Sequence, residues 1–123
     1  MNLVLRDKKW FGFHFAWEGI IEAIKLERNL KVHLSITCIV FLLGWFVHLT
    51  LMEWVIIVLV IGFVLALELV NTAIEEIINY LKPEIHPHAK LIKDIAAGAV
   101  FIAALTAAIV GLLIFIPKLI SMI

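Results

Sequence analysis

The sequence predicts an all-α membrane protein: three transmembrane helices preceded by an N-terminal amphipathic surface helix. Three observations predict it. Of the 123 residues, 64 % are apolar and only 16 % are charged, too greasy a balance for a soluble domain. Three apolar runs, about 34–51, 54–74 and 95–116, reach about 27–33 Å at 1.5 Å per residue and so match a hydrocarbon core of about 30 Å. Basic residues collect at the ends of these runs in one consistent pattern: Arg6, Lys8, Lys9, Lys25, Arg28 and Lys31 precede the first, Lys82, Lys90 and Lys93 follow the second, and Lys118 alone follows the third. Short loops rich in Lys and Arg stay in the cytoplasm. The N-terminus and the 75–94 segment are therefore expected inside, and the 48–53 turn and the C-terminus outside.

Each element has its own signal. Over about 10–30, Phe13, Trp17, Ile20 and Ile24 share one helical face and Glu18, Glu22, Lys25 and Asn29 the opposite one, the pattern of a helix lying on the inner membrane surface. Glu27 breaks that pattern, because helical spacing points it nearer the apolar side. Either the helix bends there or Glu27 turns inward towards a site. Between the first two spans only a tight hairpin fits, around His48, Thr50 and Glu53, with Trp45 and Trp54 flanking it at an interface. Pro83 and Pro87 make the cytoplasmic connection an irregular turn, with Lys90, Lys93 and Asp94 leading into the third span. That span carries Ala99, Ala103, Ala107 and Gly111 at four-residue spacing. Such a stripe lets helix backbones approach closely in lipid, within the subunit or between subunits. Three spans make a thin bundle, which favours an oligomer.

Nothing divides the chain, and residues 1–123 read as one membrane domain. Glu18, Glu22 and Lys25 interrupt the first apolar stretch, so no cleavable signal peptide is expected. Cys38 has no partner for an internal disulfide and reads as packing. His86 and His88 lack further ligands for zinc. There is no Gly-rich phosphate loop and no GK[ST] motif, and no nucleic-acid partner is expected.

The chemistry gathers in the second span. From Trp54 to Leu67 it holds no polar residue except the tryptophan at its head, and then come Glu68, Asn71 and Glu75. At about 100° per residue these three fall within about 80° of one another. Counted from Trp54, Glu68 lies about 21 Å into the membrane, past the midplane but still below the surface. An acid inside a span is costly and is read by default as functional; a poorly solvated carboxylate also takes up a proton more readily than one in water. The bland alternative is a protonated Glu68 hydrogen-bonded to a neighbouring helix. Glu75 would lie at headgroup level, and with Glu27 it could form the carboxylate pair that holds magnesium beside substrate phosphates. Ordinary interfacial salt bridges are the competing explanation for both acids. Lys93, placed at the start of the third helix, would combine a cation with free backbone N–H groups, a site suited to phosphate or simply a membrane anchor. A non-enzymatic membrane protein, either a proton pathway or a subunit of a larger assembly, is the rival class, because an isolated intramembrane acid also suits a relay.

The segment ELVNTAIE, Glu68 to Glu75, followed after a polar turn by AKLIKDIAAGAV, Ala89 to Val100, resembles the signature of the prokaryotic diacylglycerol kinase family of integral-membrane lipid kinases. The likeness extends to Gly19 and to ERNLKVH, Glu27 to His33, and so covers nearly the whole chain. The resemblance implies a homotrimer in the cytoplasmic membrane whose active site, at the cytoplasmic face, transfers the γ-phosphate of Mg–ATP to a lipid hydroxyl. It implies Glu68 as general base with Asn71 beside it, and Glu27 and Glu75 as ligands of Mg2+. Lys93 would steady the phosphates, with Asp94 and His86 contacting the nucleotide. ERN-x-K-x-H and AAGAV are more similar to the Gram-positive branch, whose members resemble undecaprenol kinases. The diacylglycerol branch carries an acid at the position of His33 and a serine in the segment Ala96–Ala97. Polyprenol is therefore the expected substrate, with diacylglycerol as the alternative.

Overall fold

The computed structural model describes residues 12–81 and 86–123. Arg6, Lys8, Lys9, Trp10, Lys82 and Pro83 lie outside the described residues. The described chain forms four helices in the order α1 (Phe13–Leu26), α2 (Arg28–Phe46), α3 (Leu51–Leu81) and α4 (Pro87–Ser121), with no strand among the described residues. The last three are long and apolar enough to cross a membrane. The protein is a multi-pass membrane protein.

The helices do not end where the apolar runs end. The first run was expected to continue to residue 51, but α2 stops at Phe46 and Leu51 already opens α3. His48 takes a left-handed backbone, φ 59°, which no helix can continue. A reciprocal cap then starts α3. Thr50 N–H donates to Glu53 Oε1 at 2.9 Å, and Glu53 N–H donates to Thr50 Oγ1 at 3.2 Å. At its other end α3 runs seven residues past the expected boundary of 74, and α4 begins eight residues before the expected 95. Hydropathy reports only the length of helix that lipid must cover. At 1.5 Å per residue α3 and α4 are about 46 and 52 Å long, so both project well beyond a core of about 30 Å.

Pro87 belongs to α4 rather than to an irregular turn. It opens the helix, where a missing N–H costs nothing, and the His86 side chain caps it through Nδ1, which accepts from His88 N–H at 3.1 Å. This start leaves Lys93 nearly two turns inside the helix, away from the free N–H groups of its terminus. The expected combination of Lys93 with a helix N-terminus is therefore not formed.

α3 and α4 make the most extensive helix contact, and the seam between them has a seven-residue step. Ile57, Val64 and Asn71 are buried on α3, and Ala89, Ala96 and Ala103 on α4. This is the repeat that keeps two helices in register as they wind around each other. Of the expected stripe only Ala103 lies in the seam. Ala99 is exposed, Ala107 and Gly111 are half-buried, and a Cβ on Gly111 would meet nothing within 4 Å. A four-residue step drifts off a seven-residue seam, and Ala99 instead borders an open apolar groove whose other wall is Leu59, Val60, Phe63 and Leu67 of α3.

The apolar core sits at the turn end of the bundle. Val47, Leu49, Ile57 and Phe115 are buried together, with Leu43, Trp54 and Ile114 packed around them. Trp54 turns inward, edge-on to Phe41 at 5.8 Å, while Trp45 stays 79 % exposed as expected of an interfacial ring. Gly44 is required here, since a Cβ would come within 2.8 Å of both Leu49 Cδ1 and the Trp54 ring. Lys118 ties α4 to the same turn, with Nζ 2.8 Å from Glu53 Oε1 and 3.2 Å from the His48 carbonyl.

α1 meets α2 at Glu27, and both readings of that residue hold. Its extended backbone (φ −110°, ψ 115°) bends the chain, closing α1 through a 2.9 Å bond from its N–H to the Ala23 carbonyl. Its side chain turns inward, as described below. Ala23 is buried, and α1 packs on both α2 and α3, whereas Phe13 and Trp17 on its expected apolar face remain exposed.

Candidate active site

The site is built along one face of α3, beginning with Glu68. The seam buries this residue to 3 % exposure, and Thr72 one turn on is buried beside it. Thr72 does not serve the Glu68 carboxylate: its hydroxyl donates to the Glu68 backbone carbonyl at 3.0 Å, the usual way a helical threonine satisfies itself. The carboxylate instead meets α2, where His33 Nε2 lies 3.2 Å from Oε1. Of the bland alternative, a protonated Glu68 bonded to a neighbouring helix, the contact with that helix is present.

One turn further along, Asn71 Nδ2 donates to Glu75 Oε1 at 3.0 Å. The other half of this amide, Oδ1, is buried without a hydrogen-bond partner, the one such side-chain atom among the described residues. A buried acceptor left open in this way suits a donor or a cation brought by a ligand. Glu27 reaches the same place from the α1–α2 bend and shares a hydrogen bond with Glu75. Its pKa is raised, first by burial, then by that bond and by the charges of Glu75, Glu68 and Glu76. Two carboxylates facing each other in this way are a donor set suited to Mg2+, a hard ion bound through oxygen. No group of three or more His, Cys, Asp or Glu side chains converges as a metal cage among the described residues. The protein would therefore supply a carboxylate pair, and phosphate oxygens and water would complete the coordination.

The polar face continues to Asn79, whose Oδ1 accepts from Lys93 Nζ at 2.6 Å across the α3–α4 gap. Glu68, Asn71, Glu75 and Asn79 follow steps of three and four and therefore line a single strip about 16 Å long. The other expected nucleotide residues lie apart from it. Asp94 pairs with Lys90 at 2.6 Å on the exposed side of α4. His86 caps α4 and stacks on His88 with ring centroids 5.7 Å apart. The structure therefore brings together Glu27, Glu68, Asn71 and Glu75, sets Lys93 one turn beyond Glu75, and leaves Asp94 and His86 engaged elsewhere.

Three site neighbours were not identified as functional from sequence. Thr72 carries a pattern that could have found it, a hydroxyl one turn after a buried acid. Asn79 continues the three-four spacing, but polar residues are ordinary at a helix end. For His33 there was no local signal: its role depends on how α2 docks, and its place in ERNLKVH marked only a family branch.

The sequence model of the family described as prokaryotic diacylglycerol kinase matches residues 14–115. Among known proteins, an undecaprenol kinase of Bacillus subtilis is 47 % identical over 108 residues, covering 88 % of each chain. A diacylglycerol kinase of Synechocystis is 35 % identical over 90 % of this chain and 64 % of its own. A diacylglycerol kinase of Haemophilus influenzae is 30 % identical over 82 % of this chain and 87 % of its own. No solved structure matches. With a match that takes in every residue of the polar strip on α3, the chain belongs to the prokaryotic diacylglycerol kinase family.

Proposed function

We propose that this lipid kinase phosphorylates the terminal hydroxyl of undecaprenol, using ATP, at the cytoplasmic face of the cell membrane. The observation that carries the substrate is the gradient of similarity, 47 % to the undecaprenol kinase against 35 % and 30 % to the two diacylglycerol kinases. The rival idea of a non-enzymatic proton pathway leaves the carboxylate pair and Lys93 without a task, and the family sets it aside. The crowding of basic residues around the polar end supports a cytoplasmic site. Ala99, a small residue beside an open apolar groove of about 430 Å³ between α3 and α4, supports the homotrimer. The exposed Phe13 and Trp17 of α1 support a helix resting in the membrane surface.

The mechanism follows from the order of groups along α3. Glu68 accepts the hydroxyl proton as the lipid oxygen attacks the γ-phosphorus and the bond to the ADP oxygen breaks. Asn71 holds Glu75 in place through Nδ2 and offers Oδ1 to the incoming group. Glu27 and Glu75 would hold Mg2+. A cation held by this pair would supply neutralisation of the charge on the transferring phosphoryl. Lys93 is kept by Asn79 one turn beyond, where it steadies phosphate oxygens, and Asp94 and His86 are left to contact the nucleotide at the rim. Catalysis is then chiefly positioning and charge compensation.

The test is phosphoryl transfer in detergent with Mg–ATP and equal amounts of undecaprenol and diacylglycerol, reading which lipid gains phosphate. Undecaprenyl phosphate is the expected product. Predominant phosphatidic acid would transfer the reading to diacylglycerol.

A further inference from the structure

We propose that His33 is a positioning residue for the base: its Nε2–H holds Oε1 of Glu68 and leaves Oε2 free to take the lipid proton. This rests on Glu68 acting as the base. The argument starts from which donors are available. Glu68 sits inside the bundle with its side chain 4 % exposed, so water cannot orient it freely. The two polar side chains that follow it on its own helix are committed elsewhere, the Thr72 hydroxyl to the Glu68 backbone carbonyl and the Asn71 amide to Glu75. His33, 3.2 Å away, is the donor that α2 supplies.

The reach from α2 is set by the chain bend. Glu27 ends α1 with an extended backbone and turns α2 against α3, and His33 follows within the second turn of α2. One bend thus brings Glu27 to Glu75 and His33 to Glu68. A carboxylate held by one oxygen keeps a fixed direction for the other, and directional control of a general base is worth far more than its own hydrogen bond.

The test compares His33→Leu, His33→Gln and Glu68→Gln in the full-length protein. His33→Leu is expected to lower kcat about 10- to 100-fold with KM for ATP and lipid unchanged. His33→Gln, which can place an N–H near the position of Nε2, is expected to recover most of that loss. In the double variant His33→Leu/Glu68→Gln the two losses should not multiply, because His33 acts through Glu68. Normal kcat in His33→Leu beside an inactive Glu68→Gln overturns the role of His33 alone. Full activity in Glu68→Gln overturns the base assignment itself. Multiplying losses, or a His33→Leu defect confined to KM or to thermal unfolding, would make His33 a lipid contact or a packing residue. If His33→Leu fails to fold, His33→Asn, whose N–H is too short to reach, replaces it with the same expected fall in kcat.

Discussion

The two ends of the bundle are built on opposite principles. At the turn end, buried aliphatic side chains, a reciprocal Thr50–Glu53 cap, the close approach at Gly44 and the Lys118 tie fasten three helices to one another. At the other end the seam carries Glu68, Asn71 and Thr72 in place of aliphatic residues, and the helices are joined by polar contacts, His33 to Glu68, Glu27 to Glu75 and Lys93 to Asn79. A seam lined with polar side chains forfeits packing that the turn end must supply. On the proposed mechanism stability resides at the turn end and activity at the polar end, and separating the two tests it.

The largest expected effect is at the polar end. Glu68→Gln should lower turnover by about 10²–10⁴-fold, the usual worth of a general base, while the fold and ATP binding persist. Thermal unfolding and nucleotide binding measured beside turnover check this, and near-normal turnover would remove Glu68 from the chemistry. Next, Glu75→Gln leaves Glu27 as the one acid of the pair and should raise the magnesium concentration needed for half-maximal rate by about tenfold or more. An unchanged magnesium titration would argue that the pair is structural. The smallest effect on turnover is expected at the turn end. Gly44→Val forces its side chain into Leu49 and Trp54 and should destabilise the bundle by about 1–3 kcal/mol while turnover per folded molecule stays near normal. Loss of turnover without loss of stability there would mean that the two ends are mechanically coupled.

The same contrast explains what could be read from the chain alone. Helix class, the number of spans and the three-residue constellation on α3 follow from period and hydropathy, which are local. The polar ends of α3 and α4 were missed because a helix continues through Glu76, Asn79 and Lys90 as readily as through Leu and Val, whereas hydropathy falls away there. The Ala99–Gly111 stripe was legible as a small-residue face, but its neighbour was not, since a helix face does not name what packs on it. Glu27 was marked by a break in amphipathicity, a local conflict with a tertiary resolution. His33 and Asn79 gained their importance only when α2 and α4 were docked.

The length of α3 has a further consequence for rate. It carries Glu68 inside the apolar span and Glu75 and Asn79 towards its polar end, so one rigid rod reaches from the bilayer interior towards water. A long-chain alcohol need not be lifted out of the membrane to be phosphorylated; it is met where it diffuses. For this enzyme the abundance of its acceptor is then a surface density, and diluting the membrane with inert lipid should slow the reaction as dilution of a dissolved substrate slows a soluble kinase, even when the total amount of acceptor in the tube is unchanged.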